Sequence, residues 1–570
     1  ETDRLRVLEA IAVYMHQEKS LTIKRKQALA IIERGTGLNP ELVLQNLLQN
    51  GLLTGDRDLR FAPHQTIQEY FAARALKEEI LRIARKRTGL LGVFVGPGLL
   101  EAANDPWWAE TFIQIAGLAD DPNALAVTLA DLNPWLAWWC VQEGRAVNKR
   151  TTQIIQAKSM EMIQSPKVEE RRRGAETLAK LQTPRALEPL ITLLGDSVPE
   201  IHHLASDAVS TFGEAAVPFL VDALNDESLM AVARARALNL LAQVAYKDEL
   251  KSPRVLKPLA QLAMNPQPEA AITSLQVLMS LEDEGEALLD RILTNRPPAR
   301  RVKWGELVAE NDCRPGVTIR ADGLPDIAWY KVEAATVGGI ELEYRRVEPF
   351  YIAKYPVTHA QYQAFIDDDG YTRDVWWQKF PNIPRVLRAQ PFKIANYPRV
   401  NISWYEAIVF CRWLTARYRA SNEISEKWVI RLPTEWEWEQ AAIGYIDDED
   451  HDRIPGFDVT RGNTPAAKIG GVCAVGLFPE GRSPFGAMDM GGNIREWCLN
   501  VYNWHTGTRR LDDDRRSLRG GSWEEADYLA APTARDFAAG SERGRDIGFR
   551  LCIAPLNLKP VGVSPEDPGV

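Results

Sequence analysis

A repeat with a period of 30 residues runs through the middle of the chain and limits the folds open to it. The segment LEPLITLLGD, which begins at Leu187, recurs as VPFLVDALND from Val217, and a weaker third copy begins at Val255. Each copy follows a second stretch with helical periodicity, such as residues 201–212. A single pair of amphipathic helices cannot bury its apolar faces, so successive pairs must stack on one another. The pattern predicts a helical solenoid over residues 166–300.

Paired helices at this spacing resemble HEAT-like repeats, and the resemblance implies a surface on which protein partners can dock. The chain has 570 residues, more than one hydrophobic core usually organises, so further domains are expected on both sides. Pro297 and Pro298, followed by the turn sequence CRPG from Cys313, interrupt the helical periodicity. We therefore predict a linker over residues 301–345, after which Trp, Tyr, Gly and Pro become frequent.

Residues 1–90 combine helical segments with one short extended piece. The string GLLTGDRDLRFAPHQTIQEYFAA, from Gly51 to Ala73, resembles the winged-helix end of NACHT-type signalling NTPases. That resemblance implies an NTPase upstream of Glu1 and a helical connector over residues 91–165. The chain has no GxxxxGK[ST] loop, whose backbone amides and lysine hold triphosphate, so we do not expect it to hydrolyse ATP alone.

Six motifs occur in a fixed order in the C-terminal part of the chain. They are FYIAKYPVTHAQY from Phe350, PRVNISWYEA from Pro398, RLPTEWEWE from Arg431, GGNIREW from Gly491, LRGGSW from Leu518 and IGFR from Ile547. Thr358, Ser403 and Thr434 stand where helix N-caps are expected. The motifs resemble the formylglycine-generating, sulfatase-modifying family. The resemblance implies an irregular α+β domain of the C-type-lectin kind over residues 346–556, with a flexible tail over 557–570.

In that family, a pair of cysteines between the RGGSW and GFR motifs binds copper and activates oxygen. A soft thiolate pair is what Cu(I) requires. Residues 524–546 contain no cysteine, and counting back from the GFR motif puts Ser522 and Asp527 near the expected positions. Neither side chain can replace a thiolate. Cys498 and Cys552 lie inside scaffold motifs and are interpreted as small buried side chains.

A second branch of the family, which forms the sulfoxide bond of ergothioneine, takes its iron from histidines on a separate helical bundle. His202 and His203 are adjacent, but the seven histidines of this chain form no HxxxE-type constellation. The sequence therefore predicts that the domain has no catalytic residues and that the chain is not an enzyme of this family.

With that chemistry lost, the segment 524–546 mixes charged, aromatic and small residues without a strand or helix period, as a solvent-facing surface does. It resembles the hypervariable patch of the variable proteins of diversity-generating retroelements, which carry the same lectin-type fold and bind diverse ligands. The resemblance implies ligand binding through Trp504, His505, Glu524, Glu525, Ala526, Tyr528, Ala534, Asp536, Phe537, Ala539, Glu542, Arg545 and Asp546. Arg535 and Arg543 are interpreted as scaffold. Trp504 and Phe537 are the sharpest candidates, because exposed aromatic side chains commonly anchor partners.

Asn493 and Glu496, with nearby backbone carbonyls, resemble a structural calcium position of the enzyme fold and are the candidates for a metal site. No other cofactor is expected. The net charge is −9, and acids are interleaved with the arginine runs, so nucleic acid is not an expected partner. No apolar run approaches the roughly 20 residues of a membrane helix. Six scattered cysteines without a CxxC pair fit a reducing compartment, and we expect the cytoplasm.

The sequence thus predicts a multidomain protein with an all-α N-terminal half, made of a winged helix and a HEAT-like solenoid, followed by the lectin-like domain. The function it favours is a sensor that binds a protein or other macromolecular ligand through its C-terminal domain and signals through an upstream NTPase. Two alternatives stay open. One is an oxidoreductase that acts on a peptide cysteine, as formylglycine-generating enzymes do, and the other is a scaffold whose lectin-like domain only packs onto the solenoid.

Overall fold

The computed structural model describes residues 2–86, 98–144, 147–338, 342–445, 458–502 and 515–556. The chain divides into two compact units, Glu1–Tyr246 and Lys247–Val570. The first unit begins with α1 (Thr2–Gln17), β1 (Ile23–Lys24), α2 (Arg25–Thr36), α3 (Pro40–Gln49), β2 (Leu53–Thr54), β3 (Asp58–Phe61) and α4 (Gln65–Lys86). The strands form a small antiparallel sheet in the order β1-β3-β2 and share one apolar core with the helices. The assignment of this part to a NACHT-type winged helix stays a prediction.

Five helices follow in the first unit. They are α5 (Leu99–Asn104), α6 (Pro106–Leu118), α7 (Asn123–Leu132), α8 (Pro134–Glu143) and α9 (Lys149–Met162). Asp105, Asn133 and Asn148 cap α6, α8 and α9, each accepting a hydrogen bond from a backbone N–H of the first turn. Proline is tolerated at the first position of α6 and α8 because the N–H at that position has no helical partner.

The repeat region contains paired helices, as its period predicts. The first unit holds α10 (Val168–Leu181), α11 (Leu187–Leu193), α12 (Pro199–Ser210), α13 (Val217–Asn225) and α14 (Ala231–Val244). The second unit begins with α15 (Lys247–Leu250), α16 (Pro253–Ala263), α17 (Pro268–Ser280), α18 (Glu282–Thr294) and α19 (Pro298–Val308). The repeated motif forms α11 and α13, each after one turn of 3₁₀-helix. Leu190 and Leu220, which hold equivalent positions in the two copies, are both fully buried.

The prediction of a linker over 301–345 is wrong, because most of these residues are ordered parts of the second unit. Helix α19 extends to Val308, and β4 (Trp329–Val332) and β5 (Ala335–Val337) follow. Strand β4 pairs along its whole length with β7 (Phe350–Ala353), and β5 pairs with β6 (Arg345–Val347). The prolines and glycines of this stretch mark turns between ordered elements, and composition cannot distinguish such turns from a linker.

The C-terminal domain contains two four-stranded sheets. One has the order β4-β7-β13-β8, and the other has the order β11-β10-β9-β12. Their remaining strands are β8 (Trp428–Arg431), β9 (Arg495–Val501), β10 (Arg515–Arg519), β11 (Asp536–Ala539), β12 (Ile547–Phe549) and β13 (Cys552–Pro555). The helices are α20 (His359–Asp367), α21 (Asp374–Trp377), α22 (Trp404–Ala420) and α23 (Glu435–Ile443). The predicted tail, 557–570, lies outside the described residues.

The helix starts and the tryptophan core follow the sequence motifs. Thr358, Ser403 and Thr434 form full capping boxes at α20, α22 and α23, which confirms the predicted N-caps. Trp404 and Trp497 are fully buried in one apolar cluster, where they supply a large buried area in a domain with few long elements.

The predicted fold class is confirmed: a helical N-terminal half precedes a sheet-containing α+β domain. Among the described residues, no single helix is both long and apolar enough to cross a membrane. One sharply bent pair, Pro199–Ser210 with Gly213–Asn225, passes that test by length and composition alone.

Candidate ligand-binding surface

The segment between β10 and β12 carries most of the predicted ligand-binding residues, and the fold holds it at both ends. Strand β10 pairs with β9 before the segment, and β12 pairs with β9 after it. Within the segment, β11 forms the edge of the sheet beside β10. Gly521 has a φ of 59°, and a Cβ there would lie 2.6 Å from the backbone of Ala530. The turn into the segment therefore requires glycine at this position.

Most of the predicted residues in this segment reach solvent. The exposed ones are Glu524, Ala526, Tyr528, Phe537, Ala539, Glu542 and Arg545, whereas Glu525, Ala534 and Asp536 are half-buried. Tyr528 is 71% exposed and Phe537 is 39% exposed, which are high values for large aromatic side chains. Two exposed aromatic rings on a backbone fixed at both ends can anchor a binding partner.

Asp546 is buried, and its prediction as a ligand contact is wrong. Its carboxylate accepts hydrogen bonds from Arg495 at 2.9 and 3.0 Å and from the Ser522 hydroxyl at 2.8 Å. Arg495 also donates to Asp536 at 2.9 Å and lies 3.5 Å from Glu525. One guanidinium therefore joins three carboxylates from three parts of the segment, and Asp546 serves to hold the segment in place.

The outer part of the surface is held by weaker, exposed contacts. Arg545 donates to Glu524 at 2.7 Å, and its guanidinium lies 4.9 Å from the ring centre of Trp523. Exposed ion pairs are screened by solvent and contribute little to stability. These side chains can therefore rearrange around a ligand at little cost, whereas the cluster around Arg495 keeps the backbone fixed.

Phe537 belongs to a row in which two guanidinium groups flank two adjacent aromatic rings. Its ring centre lies 4.7 Å from that of Tyr502, and the Arg515 guanidinium lies 5.0 Å from the Phe537 ring centre. The Arg535 guanidinium lies 4.7 Å from the Tyr502 ring centre. Guanidinium groups are attracted to the negative face of an aromatic ring. These contacts orient Phe537 although it is partly exposed.

Arg535 is anchored to the core by a buried carboxylate. It donates to the two oxygens of Glu435 at 2.7 and 3.0 Å, and Asn500 donates to the same carboxylate at 2.8 Å. Burial alone would raise the pKa of Glu435, but the hydrogen bond from Arg535 and the charge of Arg519 hold it below its ordinary value. Glu435 is therefore a charged anchor for the backbone that carries Phe537.

Arg543 is anchored in the same way at the other end of the segment. It donates to Glu406 at 2.8 Å, and Glu406 also accepts from the backbone N–H of Ser403, which completes the capping box at the start of α22. Arg519 donates at 2.7 Å to the carbonyl oxygen of Ala534. The interpretation of Arg535 and Arg543 as scaffold therefore agrees with their contacts.

Two predicted contacts, Trp504 and His505, lie outside the described residues. Several residues near the described surface were not selected from the sequence, namely Arg495, Tyr502 and Arg515. Arg495 belongs to the GGNIREW motif, whose residues were interpreted as structural. Its partners come from the following 51 residues, so no local pattern could indicate them.

An exposed apolar loop lies next to the segment. The backbone N–H of Asn401 donates to the carbonyl of Gly544 at 2.9 Å, and the Asn401 side chain donates to the carbonyl of Ala389 at 2.9 Å. Residues close to Ala389 include Val386 and Leu387, which are 49% and 48% exposed. These two side chains belong to the loop that Asn401 joins to the segment.

The candidate calcium ligands, Asn493 and Glu496, are hydrogen-bonded to other groups of the protein. Both carboxylate oxygens of Glu496 accept hydrogen bonds from Arg550, and one also accepts from Trp438. The Asn493 side chain accepts from the N–H of Cys473 at 3.0 Å and donates to its carbonyl at 3.1 Å. The pair therefore stabilises the core of the domain, which argues against the calcium prediction.

The cysteines of the domain do not offer a thiolate pair. Cys498 and Cys552 are buried and belong to one apolar cluster, as interpreted from the sequence. Burial raises the pKa of both thiols well above the ordinary value, so both are protonated at neutral pH. Among the described residues, no group of three His, Cys, Asp or Glu side chains is placed to hold a metal ion.

Comparison with known families agrees with this architecture. Residues 341–555 match the sulfatase-modifying factor enzyme 1-like domain. The chain carries a sulfatase-modifying-factor-like domain at its C-terminus. Residues 158–242 match HEAT repeats, so both predictions drawn from the sequence motifs are confirmed.

The relatives of this domain include enzymes and a protein named as inactive. The hercynine oxygenase of Mycobacterium tuberculosis is 28% identical over 239 residues, which is 36% of this chain and 52% of that protein. The inactive Cα-formylglycine-generating enzyme 2 of Bos taurus is 25% identical over 255 residues, 36% of this chain and 77% of that protein. The chain spans about half the length of the hercynine oxygenases it matches.

Solved structures also resemble part of the chain. Treponema denticola variable protein 1 aligns with a TM-score of 0.30 and 22% identity, covering 40% of this chain and 95% of that protein. PvdO from Pseudomonas aeruginosa aligns with a TM-score of 0.31 and 21% identity, covering 42% of this chain and 98% of that protein.

Proposed function

We propose that the sulfatase-modifying-factor-like domain is a catalytically inactive recognition domain, and that it binds a macromolecular ligand through the exposed residues of the segment 524–546. Tyr528 and Phe537 are its aromatic anchors, and Glu524, Glu542 and Arg545 are its adjustable polar contacts. On this proposal the chain is a cytoplasmic sensor whose HEAT repeats connect the recognition domain to an upstream signalling NTPase.

One observation carries the proposal. In the segment where the resembling enzymes keep their paired thiols, this chain has the guanidinium of Arg495 bound to Asp536 and Asp546. The guanidinium and the two carboxylates are hydrogen-bonded to one another, and these bonds fix the backbone. They offer neither a nucleophile nor a soft metal ligand. The segment therefore combines a rigid base with an exposed rim, which is an arrangement suited to binding.

The donor sets of the related enzymes do not fit the residues present. Copper needs soft thiolates, and Cys498 and Cys552 are buried thiols with raised pKa values. Iron bound by histidines needs several converging imidazoles, and His359, the histidine of the domain that the structure describes, is hydrogen-bonded to Arg399 at 3.1 Å. The inactive relatives from Bos taurus and Mus musculus support loss of catalysis in this fold.

A scaffold role is the second candidate, and a specific set of contacts favours it. Arg301 of α19 donates to both oxygens of Glu480 at 2.8 and 2.6 Å. Lys354, whose side chain is 3% exposed, donates to Glu286 of α18 at 2.5 Å. These ion pairs hold the last helices against the domain, whether or not the segment 524–546 binds a ligand.

A binding screen separates the two candidates. We expect the full chain, presented to arrays of proteins and of glycans, to select ligands whose binding weakens at least tenfold in Phe537→Ala and Tyr528→Ala. The matched control is Tyr344→Ala, because Tyr344 is 53% exposed on the same domain but lies outside the segment. Ligands that bind the three variants equally would place recognition elsewhere and leave the scaffold role standing.

Comparison of the gene between related strains tests, without a ligand, whether the segment 524–546 is a hypervariable binding surface. We expect substitutions to concentrate at the exposed positions of 524–546, beside a template repeat with adenine-directed differences and a reverse transcriptase. Substitutions spread evenly through the domain would contradict a hypervariable patch.

A further inference from the structure

The surface formed by residues 524–546 carries more acidic than basic side chains. Its acidic residues are Glu524, Glu525, Asp527, Asp536, Glu542 and Asp546. Two of its three arginines are paired with carboxylates of other elements, because Arg535 donates to Glu435 and Arg543 donates to Glu406. These two arginines therefore do not neutralise the acids of the segment.

Arg495, which anchors the segment from β9, is shared by three of these acids. Its guanidinium lies 2.9 Å from both Asp536 and Asp546 and 3.5 Å from Glu525. The side chains of Glu525 and Asp536 keep 33% and 30% of their surface exposed. One positive charge cannot balance three negative ones, so an excess of negative charge reaches solvent here.

Two further acids of the surface add to this excess. In the part of the chain that the structure describes, no basic side chain forms an ion pair with Asp527 or with Glu542, and Glu542 is exposed. Arg515, whose guanidinium lies beside the Phe537 ring, adds one positive charge at the edge of the surface. The acids still outnumber the bases, and the surface attracts positively charged groups.

The surface itself shows how a guanidinium is held on this fold. Arg545 lies 4.9 Å from the ring centre of Trp523 and donates to Glu524 at 2.7 Å. Arg535 combines the Tyr502 ring with a carboxylate in the same way. A planar guanidinium can stack on a ring and donate from its edge at the same time, which a lysine ammonium cannot.

Tyr528 presents the same combination of groups to solvent. It is 71% exposed and lies in one turn of 3₁₀-helix, Asp527–Ala530, directly after the carboxylate of Asp527. That carboxylate accepts a hydrogen bond from the backbone N–H of Ala466 at 3.2 Å, which orients it. Among the described residues, no guanidinium or aromatic ring lies on the Tyr528 ring, so its face is open to a cation of a partner.

We infer, on the basis of the proposed function of this segment, that its surface binds an arginine-rich, basic segment of a partner protein. One arginine of the partner lies on the Tyr528 ring and pairs with the carboxylates beside it, as Arg545 does with Trp523 and Glu524. The excess of negative charge speeds the approach of a basic partner and disfavours an acidic one.

The test is selection of a phage-displayed library of short random peptides on the full chain. We expect the enriched peptides to contain more arginine and to have a higher net charge than the unselected library. Tyr528→Ala should weaken their binding about tenfold, whereas Tyr528→Phe keeps the ring and should bind like the wild type. Tyr344→Ala is the matched control, because Tyr344 is 53% exposed on the same domain but lies outside the segment.

Neutralisation of the acids tests the charge of the surface. Glu525→Gln and Glu542→Gln should each weaken an enriched peptide about threefold, and the double variant should weaken it about tenfold. Glu348→Gln is the matched control, because Glu348 is an exposed acid of the same domain outside the segment. Binding should also weaken about tenfold between about 0.05 M and about 0.5 M NaCl, because salt screens exposed charges.

Failure of the inference differs from failure of the proposed function. Neutral or acidic enriched peptides that lose binding in Tyr528→Ala and Phe537→Ala would overturn the inference and leave the proposed function standing. Basic peptides whose affinity is unchanged by the double glutamine variant would do the same. No enrichment, or peptides that bind Tyr528→Ala and Phe537→Ala like the wild type, would overturn both.

Discussion

At the scale of single residues, buried charge explains how an irregular segment is held in one conformation. Glu435 accepts hydrogen bonds from Arg535 and Asn500, and Arg495 donates hydrogen bonds to Asp536 and Asp546. Each such group would be costly to bury alone, and each is neutralised by a partner from a distant part of the chain. The exposed residues between these anchors are free to vary without loss of the fold.

Removal of the central anchor should destabilise the domain. Glu435→Ala leaves Arg535, whose side chain is 5% exposed, without its carboxylate, so we expect the free energy of unfolding to fall by about 3 kcal/mol. Urea unfolding of the full chain measures this. Glu542→Ala is the control, since Glu542 is exposed, and it should change stability by less than about 0.5 kcal/mol. Equal stabilities of the two variants would refute the anchor role.

Asp489 should make stability depend on pH. Burial raises the pKa of Asp489 to about 6 in the folded state, above its ordinary value of 3.8. The folded state therefore binds the proton more tightly, and the resulting stabilisation is complete below about pH 4 and is lost as the pH rises through 6. Asp489→Asn removes this titration.

Asparagine suits this position because Asp489 has a φ of 58°, which asparagine tolerates. We expect the wild type to lose stability relative to Asp489→Asn between pH 4 and pH 7 in thermal unfolding. A constant difference between the two proteins over this range would show that Asp489 is ionised throughout.

At the scale of helices and strands, the sequence predicted those features that depend on residues close to one another in the chain. The N-caps Thr358 and Ser403 and the 30-residue repeat depend on neighbours within a few residues, and both predictions are confirmed. The error over 301–345 has a non-local cause. Strand β4 is fixed by pairing with β7, and Arg301 is fixed by Glu480, which is 179 residues away. The candidate binding segment was located from motifs, but Asp546 was misread because its partner Arg495 lies 51 residues away.

The junction between α19 and the C-terminal domain should be sensitive to one side chain. Glu480→Ala leaves Arg301, whose side chain is 7% exposed, without its carboxylate, so we expect a loss of about 3 kcal/mol in unfolding free energy. Calorimetry of the full chain measures the unfolding transition of the second unit. Glu310→Ala removes an exposed carboxylate just beyond α19 and should leave the transition unchanged. If both variants unfold like the wild type, the junction contributes nothing to stability.

At the scale of the whole molecule, the units of structure do not coincide with the families they resemble. The compact unit Lys247–Val570 includes α15–α19 as well as the domain that matches from residue 341. Lys354 explains why: it is buried within the domain, but its carboxylate partner, Glu286, belongs to α18. The last helices are therefore part of the compact unit that carries the candidate binding surface.

Truncation tests this boundary. A fragment that begins at Lys247 keeps α18, α19 and β4, so we expect it to unfold cooperatively. A fragment that begins at residue 346 loses strand β4 and the partner of Lys354, and we expect it to lack a cooperative thermal transition by circular dichroism. A cooperative transition in the shorter fragment would show that the helices are dispensable.

We propose that the C-terminal domain recognises a ligand and lacks the catalytic activity of the enzymes that it resembles. Incubation of the full chain with copper, oxygen and a sulfatase peptide, followed by mass spectrometry of the peptide cysteine, tests it most directly. We predict that the cysteine stays unmodified, because residues 524–546 contain no thiol and Cys498 and Cys552 are buried. Formation of formylglycine that is abolished by Cys498→Ala or Cys552→Ala would contradict the account.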